Sequence, residues 1–292
     1  MNKIKLASWL YRTAIATEAR LYGFQKHRIH ALDTDIHFYT NGIQEQRKTV
    51  VLLHGFSADK SLWLRCAKYF GASYNIIIPD LAGHGENRFD ATLSYSMASQ
   101  AKRVVALLDR FHINQCVVAG NSMGGFLSAY LARYYPQRIT AAALLDPAGV
   151  ATPVKSEFEE RLAQGENRFL IDNREQFDQF YPMTMHRPPY IPSLIQHAVA
   201  FSYQRRKAQL AKIFADYHCH DTLDNELAAI STPVLILWGR HDRLIDVSGA
   251  DVWHEGIKDS ELYVFDDLGH MPMVEAPRRT AQFLKDFFAK HA

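Results

Sequence analysis

Short runs of valine, isoleucine, leucine and alanine punctuate the chain from residue 28 onward, and between them apolar residues return at helical spacing. The runs Thr49–His54, Asn75–Asp80, Gln115–Gly120, Ala141–Asp146, Pro233–Gly239 and Glu261–Phe265 predict strands. Runs with so little polar alternation are covered on both faces, as in a mostly parallel sheet. Ahead of them, Arg28–Leu32 and Ile36–Tyr39 flank Asp33-Thr34-Asp35 and read as a hairpin. Helices are predicted over Tyr95–Phe111, Ser122–Tyr135 and Pro277–Lys290. This alternation gives the fold class: α/β, a doubly wound, mostly parallel sheet.

Two stretches depart from the rhythm. Residues 150–227 contain no clear buried strand. They hold helical pieces around Ser156–Ala163, Arg174–Phe180 and Pro192–Phe214, punctuated by Pro182, Pro188, Pro189 and Pro192. The segment reads as a helical cap inserted between sheet strands, over the carboxyl ends where open α/β sheets keep their ligand sites. The core is then 28–149 with 228–292. Residues 1–27 form a separate amphipathic helix, in which Leu6, Trp9, Leu10, Thr13, Thr17 and Leu21 share one face. Such a helix packs on its own domain or on a second copy, or it lies on a membrane surface through residues 1–22 with Lys3, Lys5 and Arg12 near headgroups. Arg12 interrupts the run from Leu6 to Tyr11, which is too short for a secretory core and too polar to span.

Composition narrows the classes. The chain has 292 residues, with 33 Lys plus Arg against 31 Asp plus Glu, so its net charge of +2 provides no field to gather nucleic acid. Three scattered cysteines, Cys66, Cys116 and Cys219, form no disulfide framework and fit a reducing compartment, so a cytoplasmic location is expected. Cys116, in a buried strand, reads as an inert core thiol. His218, Cys219 and His220 lack the further ligands of a metal site, and neither metal nor cofactor is called for. A P-loop, a dinucleotide G-x-G-x-x-G and a zinc-protease pair of histidines are all missing.

One motif carries chemistry. Gly120-Asn121-Ser122-Met123-Gly124-Gly125 lies between a strand and a helix, the context that G-x-S-x-G requires. Small residues flank the serine because the turn is strained and a side chain there would meet neighbouring backbone. Asp242 follows the Val234–Gly239 run and His270 follows Glu261–Phe265, giving the order Ser, acid, His. A serine hydroxyl is a weak nucleophile, so His270 must take its proton, and an ionised Asp242 must orient the imidazole and stabilise the imidazolium. Rival acids are Asp246, Asp266 and Asp267, the last two too close in sequence to His270 for the right approach. Met123 N–H is one oxyanion-hole donor. His54 and His84 read as structural turn histidines, although His54 also stands close enough to be a substrate contact.

Together these residues resemble the α/β-hydrolase superfamily. The similarity is closest to monoacylglycerol lipases of the membrane-associated α/β-hydrolase-domain group and to bacterial lipases. It is carried by His54-Gly55-Phe56-Ser57-Ala58-Asp59-Lys60-Ser61-Leu62-Trp63, Gly120–Gly125, Asp146-Pro147-Ala148-Gly149 and Asp246-Val247-Ser248-Gly249-Ala250-Asp251. The resemblance implies hydrolysis of an acylglycerol or similar lipid ester by Ser122, Asp242 and His270. Phe56 N–H becomes the second oxyanion donor. Membrane-bound members carry an N-terminal anchor, from which this polar N-terminal helix departs. A lipid substrate suits the apolar cap residues Phe158, Phe169, Phe177, Phe180, Tyr181, Met183, Met185, Tyr190, Ile191, Ile195 and Phe201, about half of which are assigned to packing within the cap. Asn121, Met183, Met185, Tyr190 and Met271 complete the expected substrate contacts.

Two alternatives stand beside this. The same elbow resembles that of hydrolases that cleave carbon–carbon bonds in aromatic ring-fission products, with Arg187 or Arg205 for the carboxylate. Against it, Met271 stands where that family carries tryptophan. A ligand-sensing protein with little turnover is the other.

Overall fold

The computed structural model describes residues 3–218, 220 and 222–291; Cys219 lies outside the described residues. The elements run α1 (Lys3–Leu21), β1 (Gln25–Ala31), β2 (Thr34–Thr40), β3 (Lys48–Leu53), α2 (Leu64–Ala67), β4 (Tyr74–Pro79), α3 (Met97–Arg110), β5 (Cys116–Asn121), α4 (Met123–Tyr134) and β6 (Ile139–Leu145). Then come α5 (Glu157–Ala163), α6 (Arg174–Phe180), α7 (Ser193–Tyr217), β7 (Val234–Gly239), α8 (Gly249–Gly256), β8 (Ser260–Phe265), α9 (Pro272–Glu275) and α10 (Pro277–His291). The sheet order is β1-β2-β4-β3-β5-β6-β7-β8. All strands from β4 to β8 along that order pair in parallel, while β1 and β2 form an antiparallel edge.

The central strands read as unbroken apolar runs because both faces are buried. Val51, Leu53, Val118, Ala142, Leu144 and Ile236 point into one core, shared with α3, α4 and the helices between β6 and β7. Their chain neighbours Val50, Leu52, Val117, Ala141, Ala143 and Leu235 point into the other, under α2 and α10. The two-residue period of a strand divides one hydrophobic run between two layers. One polar network crosses this interior. Lys60, almost wholly buried, donates to Asp80 at 2.5 Å and to Glu86 at 2.7 Å, and Lys26 caps Glu86 from outside. Burial works against it, but Lys60 and Lys26 hold the Glu86 carboxyl at about 2.

Helix α1 lies on its own domain by the face opposite to the predicted one. Ala7 and Ala19 are buried, Ile4, Tyr11 and Ile15 are half-buried, and α1 packs against α7. Arg65, on α2, donates to Glu18 at 2.7 Å. Apolar residues stand on both sides of the helix, Ile4, Tyr11 and Ile15 on the packed one and Trp9, Leu10 and Leu21 on the outer one, so hydropathy alone does not mark the packed face. Trp9 is 56% exposed and Leu21 79% exposed, with Leu10, Lys5, Arg12 and Arg20 also outside. Among the described residues no helix is long and apolar enough to cross a membrane.

Candidate active site

Ser122 sits between β5 and α4 with φ 57° and ψ −119°, a conformation that costs a non-glycine residue about 1–3 kcal/mol. What holds it there is the close packing of its flanks. A Cβ on Gly120 would come 1.9 Å from the carbonyl oxygen of Gly124, and one on Gly124 would come 2.3 Å from that of Leu53. Ser122 N–H donates to Leu145 O at 2.9 Å, tying the turn to the neighbouring strand end.

His270 and Asp242 meet beside it. His270 Nδ1–H donates to Asp242 Oδ2 at 2.6 Å, both side chains being buried. Asp242 Oδ1 accepts from Leu244 N–H at 2.7 Å and Ile245 N–H at 3.0 Å, so three donors hold its charge. Two glycines permit the approach. A Cβ on Gly239 would lie 2.1 Å from Gly269 O, so only bare backbone lets the β7 and β8 ends meet. With Nδ1 spent on Asp242, the lone pair of His270 is on Nε2, where a general base for serine needs it. The rival acids are occupied elsewhere: Asp246 caps Ser248 N–H, Asp266 pairs with Arg240, and Asp267 pairs with Arg279.

The loop after β3 closes the site. A Cβ on Gly55 would be 3.2 Å from Ser122 Cβ, so this loop passes directly over the serine. His54 is fully buried; it accepts from Leu81 N–H at 2.9 Å and donates through Nδ1 to Gly55 O at 2.8 Å. Burial pushes its pKa below the ordinary value. Both ring nitrogens are thus spent on backbone, which corrects the expectation of a substrate contact at His54 and makes it a strut for the loop. Phe56 and Met123 are both buried, Phe56 on the loop and Met123 at the first position of α4.

Other expected contacts also change. Asn121 is buried and donates from its side-chain amide to His270 O at 2.8 Å and Leu145 O at 3.2 Å, so it ties the histidine loop to the elbow. Tyr190 is 90% exposed on the Pro188–Pro192 segment, where closely spaced prolines keep the chain out of a helix and the side chain stands in solvent. Met183 is buried in the core that the cap helices share with one face of the sheet. Met185 lines a cleft of about 230 Å³ beside Asp242, together with Pro182, His186, His241 and Arg243. Met271 is half-buried behind His270. The cap aromatics pack edge to face: Phe169 meets Phe56 at 5.0 Å, Phe158 at 5.0 Å and Phe180 at 4.8 Å between centroids.

Sequence reasoning missed several residues. Glu275 accepts from Gly269 N–H at 2.8 Å and Arg187 N–H at 2.6 Å, pinning the histidine loop to the cap. Tyr203 Oη lies 2.8 Å from Ser57 Oγ, and Arg206 donates to Ser57 O at 3.2 Å, so α7 supports the loop after β3. No local signal marks these residues, because their roles depend on how the cap folds back. His84 Nδ1–H donates to Ala82 O at 3.1 Å and its ring lies tilted beside that of His54, as a structural histidine would. His218 stacks on Phe214 at 4.3 Å, a packing role. Burial pushes the Cys116 thiol up to about 12, in keeping with an inert core position.

Comparison with known proteins places this geometry. Residues 48–277 match the family model described as alpha/beta hydrolase fold. Monoacylglycerol lipase ABHD6 of Rattus norvegicus is 26% identical over 98% of this chain and 86% of its own length. Lipase 3 of Moraxella sp. (strain TA144) is 32% identical over 82% of this chain and 76% of its own. Among solved structures, a membrane phospholipase A, a bacterial virulence factor, superposes with a TM-score of 0.93 at 31% identity, covering 98% of this chain and 92% of the other. The chain belongs to the α/β-hydrolase fold family, and within it to the carboxylic ester hydrolases of lipase and esterase type.

Proposed function

We propose that this enzyme cleaves monoacylglycerols or closely similar lipid esters by a Ser122–His270–Asp242 acyl-enzyme mechanism. The observation that carries the mechanism is the buried His270–Asp242 pair, bonded at 2.6 Å, on the loops that face the strained Ser122 turn. His270 Nε2 takes the Ser122 proton as Oγ attacks the ester carbonyl. The developing oxyanion is met by Phe56 and Met123 N–H, each donor of this kind contributing about 3–4 kcal/mol where measured. Collapse of the tetrahedral adduct breaks the bond to the glycerol oxygen, and His270 returns its proton to that leaving alkoxide. Water, deprotonated by His270, then releases the fatty acid and restores Ser122.

Similarity to a monoacylglycerol lipase along nearly the whole chain supports the substrate class. The carbon–carbon alternative is weakened by its arginines: Arg187 is exposed near Asp267 and Arg205 is exposed on α7. A chain-length series of esters below micelle formation tests the reading. Each methylene buried contributes about 0.8 kcal/mol, so four give up to ~3 kcal/mol, about a hundredfold in kcat/KM from acetyl to medium chains. A steady fall along the series would overturn the lipid reading; turnover of a dienoate alone would favour carbon–carbon cleavage.

The outer face of α1 gives the lipid reading a second support. Trp9, Leu10 and Leu21 stand in solvent beside Lys5, Arg12 and Arg20, as on a helix lying in an anionic interface. The packed face leaves them free, so self-packing and membrane contact are compatible. Trp9→Glu with Leu10→Glu is expected to lower cosedimentation with anionic vesicles at least several-fold, with kcat on a soluble short ester unchanged. Equal vesicle binding by both proteins would refute the contact.

A further inference from the structure

Asp146, at the carboxyl end of β6, is a buried acid that the mechanism does not use. It is 0% exposed and has φ 45°, in the left-handed region. Its N–H donates to Leu237 O at 2.9 Å and its Oδ1 accepts from Gly239 N–H at 2.8 Å, so it bridges the ends of β6 and β7. Its Oδ2 is buried without a partner. One oxygen of Asp146, one of Asp242 and a ring nitrogen of His270 all lie within 4.8 Å of one another.

Two carboxylates this close in a dry interior cannot both carry charge. The donor count decides which one does. Asp242 receives three hydrogen bonds, from Leu244 N–H, Ile245 N–H and His270 Nδ1–H; Asp146 receives one, from Gly239 N–H. The charge therefore rests on Asp242 and the proton on Asp146. A proton on Asp146 Oδ2 also satisfies that otherwise orphaned atom, because Asp242 Oδ2 keeps a lone pair after accepting from His270. Burial, then the neighbouring charge of Asp242, push the Asp146 carboxyl well above the usual range, and Glu275 adds a further like charge.

We propose that Asp146 is a neutral carboxylic acid that donates a hydrogen bond to Asp242, acting as the positioning residue for the catalytic acid. This rests on the Ser122–His270–Asp242 reading. The bond holds Asp242 toward His270 and draws off part of its charge, which limits how far Asp242 favours the imidazolium. The catalytic base then stays unprotonated to lower pH.

The test compares Asp146→Ala and Asp146→Asn by the pH profile of kcat/KM on a soluble ester and by infrared spectroscopy. Alanine removes the donor, leaves Asp242 undiluted and favours the imidazolium. The acid limb is expected to rise by about one unit, a roughly tenfold loss at pH values below it. Asparagine supplies an N–H in place of the acid O–H without changing charge, so it is expected to restore the limb. A limb that falls with asparagine would mean that Asp146 is ionised, and one that moves with neither variant would mean that it does not act on Asp242; either overturns the proposal. Should the alanine protein fail to fold, the asparagine limb and the spectrum decide. The carbonyl band of a neutral buried carboxyl group is expected in the wild type and absent in Asp146→Asn. Its absence from the wild type overturns the proposal. If Asp242→Asn leaves activity and profile untouched, it is the triad that fails, while the infrared band still reports on the shared proton.

Discussion

Ser122→Ala is expected to abolish ester hydrolysis, with a loss on the order of 10⁶ in kcat, the scale seen when a triad serine is removed. The effect is large because the alanine protein retains the oxyanion donors and the His270–Asp242 pair but has no atom to form the acyl-enzyme. It is also clean. The strained φ of 57° is imposed by the Gly120 and Gly124 contacts rather than by the hydroxyl, so the turn and the fold are expected to survive. His270→Ala should be nearly as severe, since a serine without its base is protonated at neutral pH. Single-turnover kinetics with a nitrophenyl ester provides the check: the wild type should show a burst from acyl-enzyme accumulation and the alanine protein none. More than a few per cent of wild-type kcat in clean Ser122→Ala protein would exclude Ser122 as nucleophile.

What was legible in advance divides along the range of the interactions. The parallel strands β3 to β7 declared themselves because burial on two faces leaves no polar alternation, β8 at the sheet edge alternates between covered and exposed positions, and every predicted strand from Thr49 onward falls within two residues of an observed one. Gly120-x-Ser122-x-Gly124 was readable as a motif, and half of its requirement is local: an added Cβ at Gly120 strikes Gly124 backbone within the same turn, whereas one at Gly124 strikes Leu53 and His54 backbone at the end of β3. Asp242 and His270 followed from their positions past strand ends. The first failure concerns α1, which carries apolar residues on both sides, so that hydropathy alone did not mark the face that packs. The second concerns His54 and Asn121, whose hydrogen bonds to Leu81, Gly55, Leu145 and His270 are invisible in a string of letters. Asp146 went unread as chemistry for the same reason, since its significance is a meeting of β6 with the β7 loop in space.

The choice of acid gives the second large effect. Asp242→Asn is expected to cost about 10⁴ in kcat, less than loss of the serine, because it disturbs the imidazole rather than removing a reacting group. An asparagine can turn its N–H₂ toward His270 and force the proton onto Nε2, where it blocks acceptance from Ser122. It also leaves the imidazolium without its counter-charge in a buried site. The amide oxygen can still accept from Leu244 and Ile245 N–H, so the loop should hold and the loss should be kinetic rather than structural. Asp267→Asn is the paired control. Its carboxylate is exposed, bonded to Arg279 at 2.6 Å and held below the usual range by that guanidinium, so its removal should change kcat less than about twofold. The two variants, assayed side by side on one soluble ester with unfolding midpoints as a fold control, separate the assignments. A mild Asp242→Asn with a severe Asp267→Asn would move the acid to the β8 loop. A severe Asp242→Asn with unchanged midpoint would leave it after β7, where the Gly239 and Gly269 backbones make room for the carboxylate to reach His270.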